Sequence, residues 1–457
     1  VNVSIILAAG EGTRMKSDMP KVLHKVAGKA ILSYVVDNCT ANAMDKNVVI
    51  VGHKKDDVIE YFKDAPLKFI EQKVGEGIPY GTGYAVACAI GEFSDEDMVY
   101  ILTGDTPLFK EKTIAKFMDY AQSHDFDACV LTAVVSDPFG YGRIIRGQDS
   151  TIAGIVEEKD ATDKEKAITE VNTGIFAFKG RALKENIGNL SANNKQSELY
   201  LTDVIQMLND KGKKIGGFTM CDEEEMLGIN SRVQLAACEK IMRRRINRYH
   251  MDNGVTFTDQ DATLIDFDVE IGRDTILGPN VHLEGKTTVG EGCVIRGESR
   301  IVDSTVADEV TIESSVIEQS QVGRGVTMGP FAHLRPNSVL EENVHIGNFV
   351  EVKNSHIGKG SKAGHLAYIG DGDVGENVNI SCGVIFCNYN GRKKFRTTVG
   401  DNAFIGSNVN LVAPITIGEG AFIAAGSTIS KNVDDENLAV ERSEQKMIAG
   451  WNRRKDS

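Results

Sequence analysis

Two different hydrophobic patterns divide the chain. Up to about residue 228, short apolar runs alternate with stretches of helical spacing. SIILAAG (4–10), NVVIVGH (47–53), DMVYILTGD (97–105) and DACVLTAVV (127–135) are strand-like, each followed by a loop or an amphipathic segment. This alternation predicts an α/β domain with a mainly parallel sheet, covering residues 1–228. Such sheets bind ligands beyond the carboxyl ends of their strands, so Gly10, Gly52 and Gly104-Asp105 are expected at one mouth. From Ser231 to His250, the residues Val233, Ala236, Ala237, Lys240, Ile241 and Arg244 fall at helical spacing without Gly or Pro, which predicts a connecting helix over 229–249. Its Arg243-Arg244-Arg245 run reads either as an acid-paired or solvated face or as a phosphate-binding patch.

Beyond about residue 268 the pattern becomes a short strict period. Ile271, Leu277, Leu283, Val289, Ile295 and Ile301 are six apart, as are Val322, Met328, Leu334, Leu340, Ile346 and Val352. Ile357, Ala363 and Ile369 continue it, then Val374, Ile380 and Phe386, then Val399, Ile405, Leu411, Ile417, Ile423 and Ile429. A six-residue period fits a triangular coil in which each hexapeptide supplies one face and one corner, with Gly or Asn taking the strained corner angles. Three faces make a coil of roughly 18 residues and predict about nine coils over 250–457. Steps of five at 301–306, 352–357 and 369–374 read as shortened corners. The jump from Phe386 to Val399 carries CNYNGRKKFRTT, a basic loop that must leave the prism, and a loop on a rigid scaffold is where a site is sought.

Composition narrows the partners. The 457 residues are 41% hydrophobic and 25% charged, as in a soluble globular protein. A net charge of −14 argues against nucleic acid or an anionic membrane as the main partner, but not against small anions met by local cations. The opening VNVSIILAAG reads as a buried strand rather than a signal peptide, and no apolar run is long enough to be inserted in a membrane. Eight cysteines without CxxC or zinc-type spacing read as free thiols in a reducing compartment, so a cytoplasmic location is expected.

Chemistry enters with Leu7-Ala8-Ala9-Gly10-Glu11-Gly12-Thr13-Arg14-Met15 and Pro20-Lys21. A dinucleotide fingerprint would have a third Gly where Met15 stands; the Arg and Lys point instead to a triphosphate, with backbone amides facing the anion. GxGTRM…PK resembles the signature of sugar-1-phosphate nucleotidyltransferases. With the hexapeptide half, the chain resembles the bacterial bifunctional N-acetylglucosamine-1-phosphate uridylyltransferases/glucosamine-1-phosphate N-acetyltransferases over nearly its whole length. That family implies a Rossmann-like α/β domain joined by a helix to a left-handed parallel β-helix. It implies N-acetylation of glucosamine-1-phosphate by acetyl-CoA, then uridylyl transfer from UTP to N-acetylglucosamine-1-phosphate, feeding cell-wall glycan synthesis. A nucleotidyltransferase whose β-helix serves only oligomerisation or regulation is the alternative.

The resemblance carries over residue by residue. Leu7, Ala8, Ala9, Gly10, Arg14 and Lys21 would meet the nucleotide, with Gly81-Thr82 beside the uracil. Asp105 in LTGDTPL and Asn230 in GINSR would hold Mg²⁺, although Asp105 also reads as a helix N-cap. Gly142 in GYGR, Glu157 in IVEEKD and Asn172 in VNTG would hold the acetamido sugar, although Glu157 also reads as a surface acid. Gln72 would contact the base, but the loop from Gln72 to Gly81 is four residues longer than the family's Q-x-E-Q-L-G-T-G. In the second half KAGHLAY makes His365 the general base. Arg335, Lys353, Tyr368 and Asn379 would bind the sugar phosphate. Cys382, Asn388, Tyr389, Ser407, Ala425 and Arg442 would meet acetyl-CoA, Cys382 standing where the family has Ala. The family also implies a homotrimer with sites between subunits.

Overall fold

Near-continuous aliphatic runs build the first sheet, because a strand covered on both faces has no polar side to show. Apart from a short ribbon at Lys25–Val26 and Lys29–Ala30, the strands of the first half are β1 (Asn2–Leu7), β2 (Lys46–Val51), β3 (Lys68–Glu71), β4 (Met98–Thr103), β5 (Ala128–Val134), β6 (Arg143–Arg146), β7 (Ile152–Val156), β8 (Glu170–Lys179) and β9 (Ile215–Met220). Their order is β9-β5-β8-β4-β1-β2-β3, with the β6–β7 hairpin attached to β8. Every pairing on that path is parallel except the two made by β8. Side-chain alternation sends Ile6 and Val49 to one face, under helices Ile31–Ala41 and Glu111–Ser123. Ile5, Val48 and Ile50 go to the other, under Thr82–Cys88, Gly180–Ile187 and Thr202–Asp210. Burying each such aliphatic side chain contributes about 1.5–3 kcal/mol, so this sheet is the core of its half.

The computed structural model describes residues 1–147 and 150–451. The chain divides into two compact units, Val1–Met242 and Arg243 onward, so the boundary falls inside the helix Arg232–Asp252. Arg243 pairs with Asp266 at 2.9 Å, the acid-paired alternative for the triple-Arg run.

The second unit is a parallel β-helix. One face is a nine-stranded sheet, in line with about nine coils, and the other two faces run together as a 19-stranded sheet. The expected inward residues are buried, except Ile271, which is half-buried. Residues one coil apart pair directly: Leu283 with Ile301 and Leu334 with Val352, both 18 positions on. Between 301 and 322 the hexapeptide reading takes the five-residue step to Val306 but skips Ile312 and Ile317, which the structure supplies. Val306, Ile312 and Ile317 point inward there, and Val306 pairs with Val322 and Ile312 with Met328, both only 16 positions on. At the expected loop, Val374 pairs with Val399, 25 positions on, and the surplus chain leaves the prism after Cys387.

Glycine and asparagine share the corner work as expected, Gly285, Gly292, Gly325, Gly360 and Gly383 among the glycines taking the left-handed backbone conformation. Asn280, Asn337, Asn343, Asn377, Asn402 and Asn408 take the left-handed backbone conformation. The glycines directly after an inward residue do something else: they let the next coil approach. A Cβ at Gly272 would stand 2.6 Å from the backbone nitrogen of Glu291, and one at Gly347 would overlap the Gly364 carbonyl. Gly364 itself opens onto free space. Gly347→Ala is therefore expected to cost several kcal/mol in urea unfolding of the full chain, while Gly364→Ala stays within about 0.5 kcal/mol of the native protein. Equal stability of the two variants would contradict the close-approach account.

Candidate active sites

Strands β1, β2 and β4 end level with one another, because Leu7 pairs with both Ile50 and Thr103. Ala8 N–H then donates to the Ile50 carbonyl and Gly104 N–H to the Leu7 carbonyl, both at 2.9 Å. Gly10, Gly52 and Gly104 thus lie at one edge, as expected. A Cβ at Gly52 would come within 2.7 Å of the Ala9 carbonyl oxygen, so no side chain fits there. The backbone turns at Gly12 (φ 64°) into the short helix Thr13–Met15. Met15 is buried, which gives the apolar residue at the fingerprint's third-Gly position a packing role, while Arg14 stays exposed.

Three residues distant in sequence converge at this edge. Lys21 Nζ lies 2.6 Å from Asp105 Oδ2 and 2.8 Å from Asn230 Oδ1. A carboxylate oxygen and an amide oxygen aimed at one cationic nitrogen are a donor set that suits a hard divalent cation. Arg14, Asp105, Tyr141, Met226, Asn230 and Gln234 help to line an adjoining cavity of about 440 Å³. Sequence reasoning missed Tyr141 and Gln234. Gln234 Oε1 accepts the Asn230 N–H at 2.9 Å and so fixes that residue's backbone. Tyr141 had a signal, since it precedes Gly142.

The residues expected to hold the acetamido sugar come together through β6, β7 and β8. Arg143 pairs with Val156 and Val171 with Arg143, and Asn172 N–H donates to the Gly142 carbonyl at 2.8 Å. A Cβ at Gly142 would crowd Ile155 Cγ2 at 3.0 Å and reach van der Waals contact with both Glu157 oxygens at 3.4 Å, so Gly142 lies directly against that carboxyl. Burial pushes the Glu157 carboxyl above its usual range, against the hydrogen bond that Thr202 Oγ1 donates at 3.0 Å. Gly81 and Thr82 open their helix beneath the 196–203 segment: Gly83 N–H donates to Leu199 O, and Thr82 Oγ1 accepts the Leu201 N–H. Gln72 is buried, and its own N–H donates to the Val51 carbonyl at 2.8 Å.

On the β-helix, the strand Lys362–Gly370 rounds one corner and reaches the next. His365 is exposed at the first corner, its Nδ1 2.9 Å from Asn348 Oδ1. An amide oxygen can only accept, so Nδ1 is the donor in this pair, which in the neutral tautomer leaves Nε2 as the acceptor. Asn348 is a third residue that sequence reasoning missed; its contact orients the His365 ring. The expected coenzyme residues stack along this corner: Gly383 N–H donates to Leu366 O, Asn408 N–H to Cys382 O and Gly426 N–H to Ser407 O, and Arg442 Nη1 donates to Ala425 O at 3.1 Å. Cys382 is exposed, Cys387 is half-buried, and all eight thiols are free. Arg335, Lys353, Asn388 and Tyr389 lie instead toward the far corner of the same face. There Arg335 Nη1 contacts Glu351 Oε1 at 2.9 Å, and the Lys394 ammonium beside Lys353, with partial burial, lowers that lysine's pKa. Tyr368 stands between the two corners. Asn379 is on the preceding face, in the column Lys362, Asn379, Phe404. The called residues therefore occupy two corners and two faces of one prism rather than one cluster.

One consequence of the sugar-site geometry is measurable in stability. Glu157 has its carboxyl pKa raised in the folded state, so its contribution is greatest below the ordinary carboxylate range and declines as pH rises through the folded value. Thr202→Val, which removes the donor to the ionised form, is expected to cost about 1–3 kcal/mol at pH 8 and less at pH 5. A loss independent of pH in denaturant titrations would mean that Thr202 does not support that carboxylate.

Comparison with known proteins agrees with this geometry. The MobA-like NTP transferase domain matches residues 4–155, the GMPPB C-terminal domain 260–357, and the bacterial transferase hexapeptide (six repeats) 396–431. The chain is 48% identical over 453 residues to the Bifunctional protein GlmU of Clostridioides difficile (strain 630), covering 99% of this chain and 98% of that one. It is 48% identical over 451 residues to the Bifunctional protein GlmU of Streptococcus thermophilus (strain ATCC BAA-491 / LMD-9), covering 98% and 97%. It is 46% identical over 455 residues to that of Streptococcus agalactiae serotype V (strain ATCC BAA-611 / 2603 V/R), covering 99% and 98%. With a nucleotidyltransferase sheet in its first half and a left-handed hexapeptide β-helix in its second, the chain belongs to the GlmU family of bifunctional enzymes, which join uridylyl transfer to acetyl transfer.

Proposed function

We propose that the two halves carry out consecutive steps of UDP-N-acetylglucosamine synthesis, each with the residues placed above. In the first step the amine of glucosamine-1-phosphate attacks the thioester of acetyl-CoA. The C–N bond forms, His365 Nε2 takes the amine proton, the C–S bond breaks, and the imidazolium returns that proton to the leaving sulfur, so that coenzyme A departs as the thiol. Arg335 and Lys353 suit the sugar phosphate as cationic donors. The placement of His365 at one corner and Lys353 at the other supports a site completed by a neighbouring copy, and hence a homotrimer through the β-helix. The free thiols support a cytoplasmic setting.

In the second step a phosphate oxygen of N-acetylglucosamine-1-phosphate attacks the α-phosphorus of UTP, and pyrophosphate leaves. Amides of Ala8 to Gly10, with Arg14 and Lys21, balance the charge on the departing group. Asp105 and Asn230 would hold Mg²⁺, which supplies charge neutralisation at the phosphates. Gly142, Glu157 and Asn172 suit the acetamido sugar because they offer amide and carboxyl partners around a glycine-lined opening. The observation that carries this reading is the meeting of Lys21, Asp105 and Asn230 at the carboxyl edge of the sheet.

The match of residues 260–357 to the GMPPB C-terminal domain is the observation behind the second reading, in which the β-helix is only an assembly module. His365, Tyr368 and the Asn388-Tyr389 loop lie beyond that match. Two substitutions separate the readings. Asp105→Ala is expected to abolish uridylyl transfer and leave acetyl transfer, followed as free coenzyme A, within a few-fold. His365→Ala is expected to lower acetyl transfer by roughly 10²-fold or more and to spare uridylyl transfer. Equal loss of both activities in either variant would contradict the assignment.

A further inference from the structure

Three successive coils carry a ladder of polar side chains at the second corner. Asn354, Asp371 and Asn388 stack there, one per coil, 17 positions apart. Asp371 is buried, 6% exposed, and takes the left-handed conformation at φ 53°. Asn354 Nδ2 donates to its Oδ1 and Asn388 Nδ2 to its Oδ2, both at 2.6 Å. Burial works to raise this carboxyl, but the two amides and the nearby Lys353 and Lys394 outweigh it and hold the group below its usual range.

An ionised carboxylate only accepts hydrogen bonds. Both carboxamides must therefore turn their NH₂ groups toward Asp371, which fixes the otherwise ambiguous orientation of Asn388 and turns its Oδ1 away from the carboxylate. The same Nδ2 lies 3.4 Å from Tyr368 Oη. Space for this meeting comes from Gly370, where a Cβ would stand 2.6 Å from Tyr368 Cζ and 2.8 Å from Asn388 Nδ2. Asn388 also anchors the protruding loop, since its carbonyl accepts the Phe395 N–H at 2.8 Å and Tyr389 bridges to Lys394.

We propose that Asp371 is a positioning residue for acetyl transfer, acting through Asn388: it orients that carboxamide and sets the base of the loop that carries Tyr389. The proposal rests on the reading of Asn388 as part of the acyl-transfer site.

A double-substitution cycle on the full chain tests it, with Asp371→Asn, Asn388→Ala and the pair, each measured for acetyl transfer, uridylyl transfer and thermal midpoint. Asn388→Ala and Asp371→Asn are each expected to lower acetyl kcat/KM by about tenfold or more, the scale of a hydrogen bond to a charged group. The pair is expected to be no worse than Asn388→Ala alone, with uridylyl transfer retained. If Asn388→Ala leaves acetyl transfer unchanged, the site reading itself fails. If Asn388→Ala matters but Asp371→Asn has no effect, or multiplies with it, Asp371 does not act through Asn388. Asn354→Ala removes the other rung and leaves the Asn388 bond in place, and is expected to keep acetyl transfer within about threefold. A loss as large as that of Asp371→Asn would reduce the ladder to a structural brace, and this variant decides the matter if Asp371→Asn does not fold.

Discussion

Parallel stacking of one coil on the next, in register, is the constraint on which the second half of the molecule depends. Each coil keeps three inward aliphatic side chains, and each outward residue then sits over one a coil earlier in the chain. Corners become columns. His365 beside Asn348, Cys382 above Ser407, and Asp371 between Asn354 and Asn388 are all products of that register. A coil can gain or lose a residue only at a corner, and the one large gain, between Val374 and Val399, emerges as the loop that bears Tyr389. The scaffold is rigid because its ladder hydrogen bonds and its core repeat together; a local change in register would move every column at once.

The first half solves a different problem with the same economy of means. Parallel strands that end level with one another place their following loops side by side, so residues 84 and 209 positions apart in sequence meet at Lys21 Nζ. Close packing forbids side chains at Gly52 and Gly104, which keeps the edge open for a ligand. Glu157 is held in reserve behind Gly142 by burial and by one hydroxyl from Thr202.

How much of this was legible depended on whether the signal was local and periodic. The aliphatic period located the β-helix and the extruded loop, because burial acts on every sixth residue. It reached Val306 by a shortened corner and faltered from there to 322, where Ile312 and Ile317 come inward at unequal steps. The glycines after inward residues looked like corner-formers, yet coil-to-coil approach is what excludes a side chain at Gly347. Motifs found Asn230 and His365 but not their partners Gln234 and Asn348, which are common residue types with nothing distinctive around them. Asp371 was invisible for the same reason: its burial comes from stacking across coils, not from its neighbours in sequence. Nor could one chain's sequence reveal that Asn379 and Tyr368 face different ways; that follows only once the faces are drawn.

The central claim is that one chain carries both transfers in sequence. Its most direct measurement is incubation of the full chain with glucosamine-1-phosphate, acetyl-CoA, UTP and Mg²⁺, with products identified by mass. The account expects UDP-N-acetylglucosamine, free coenzyme A and pyrophosphate in equal amounts. Product formed only when N-acetylglucosamine-1-phosphate is supplied ready-made, with no release of coenzyme A, would contradict it.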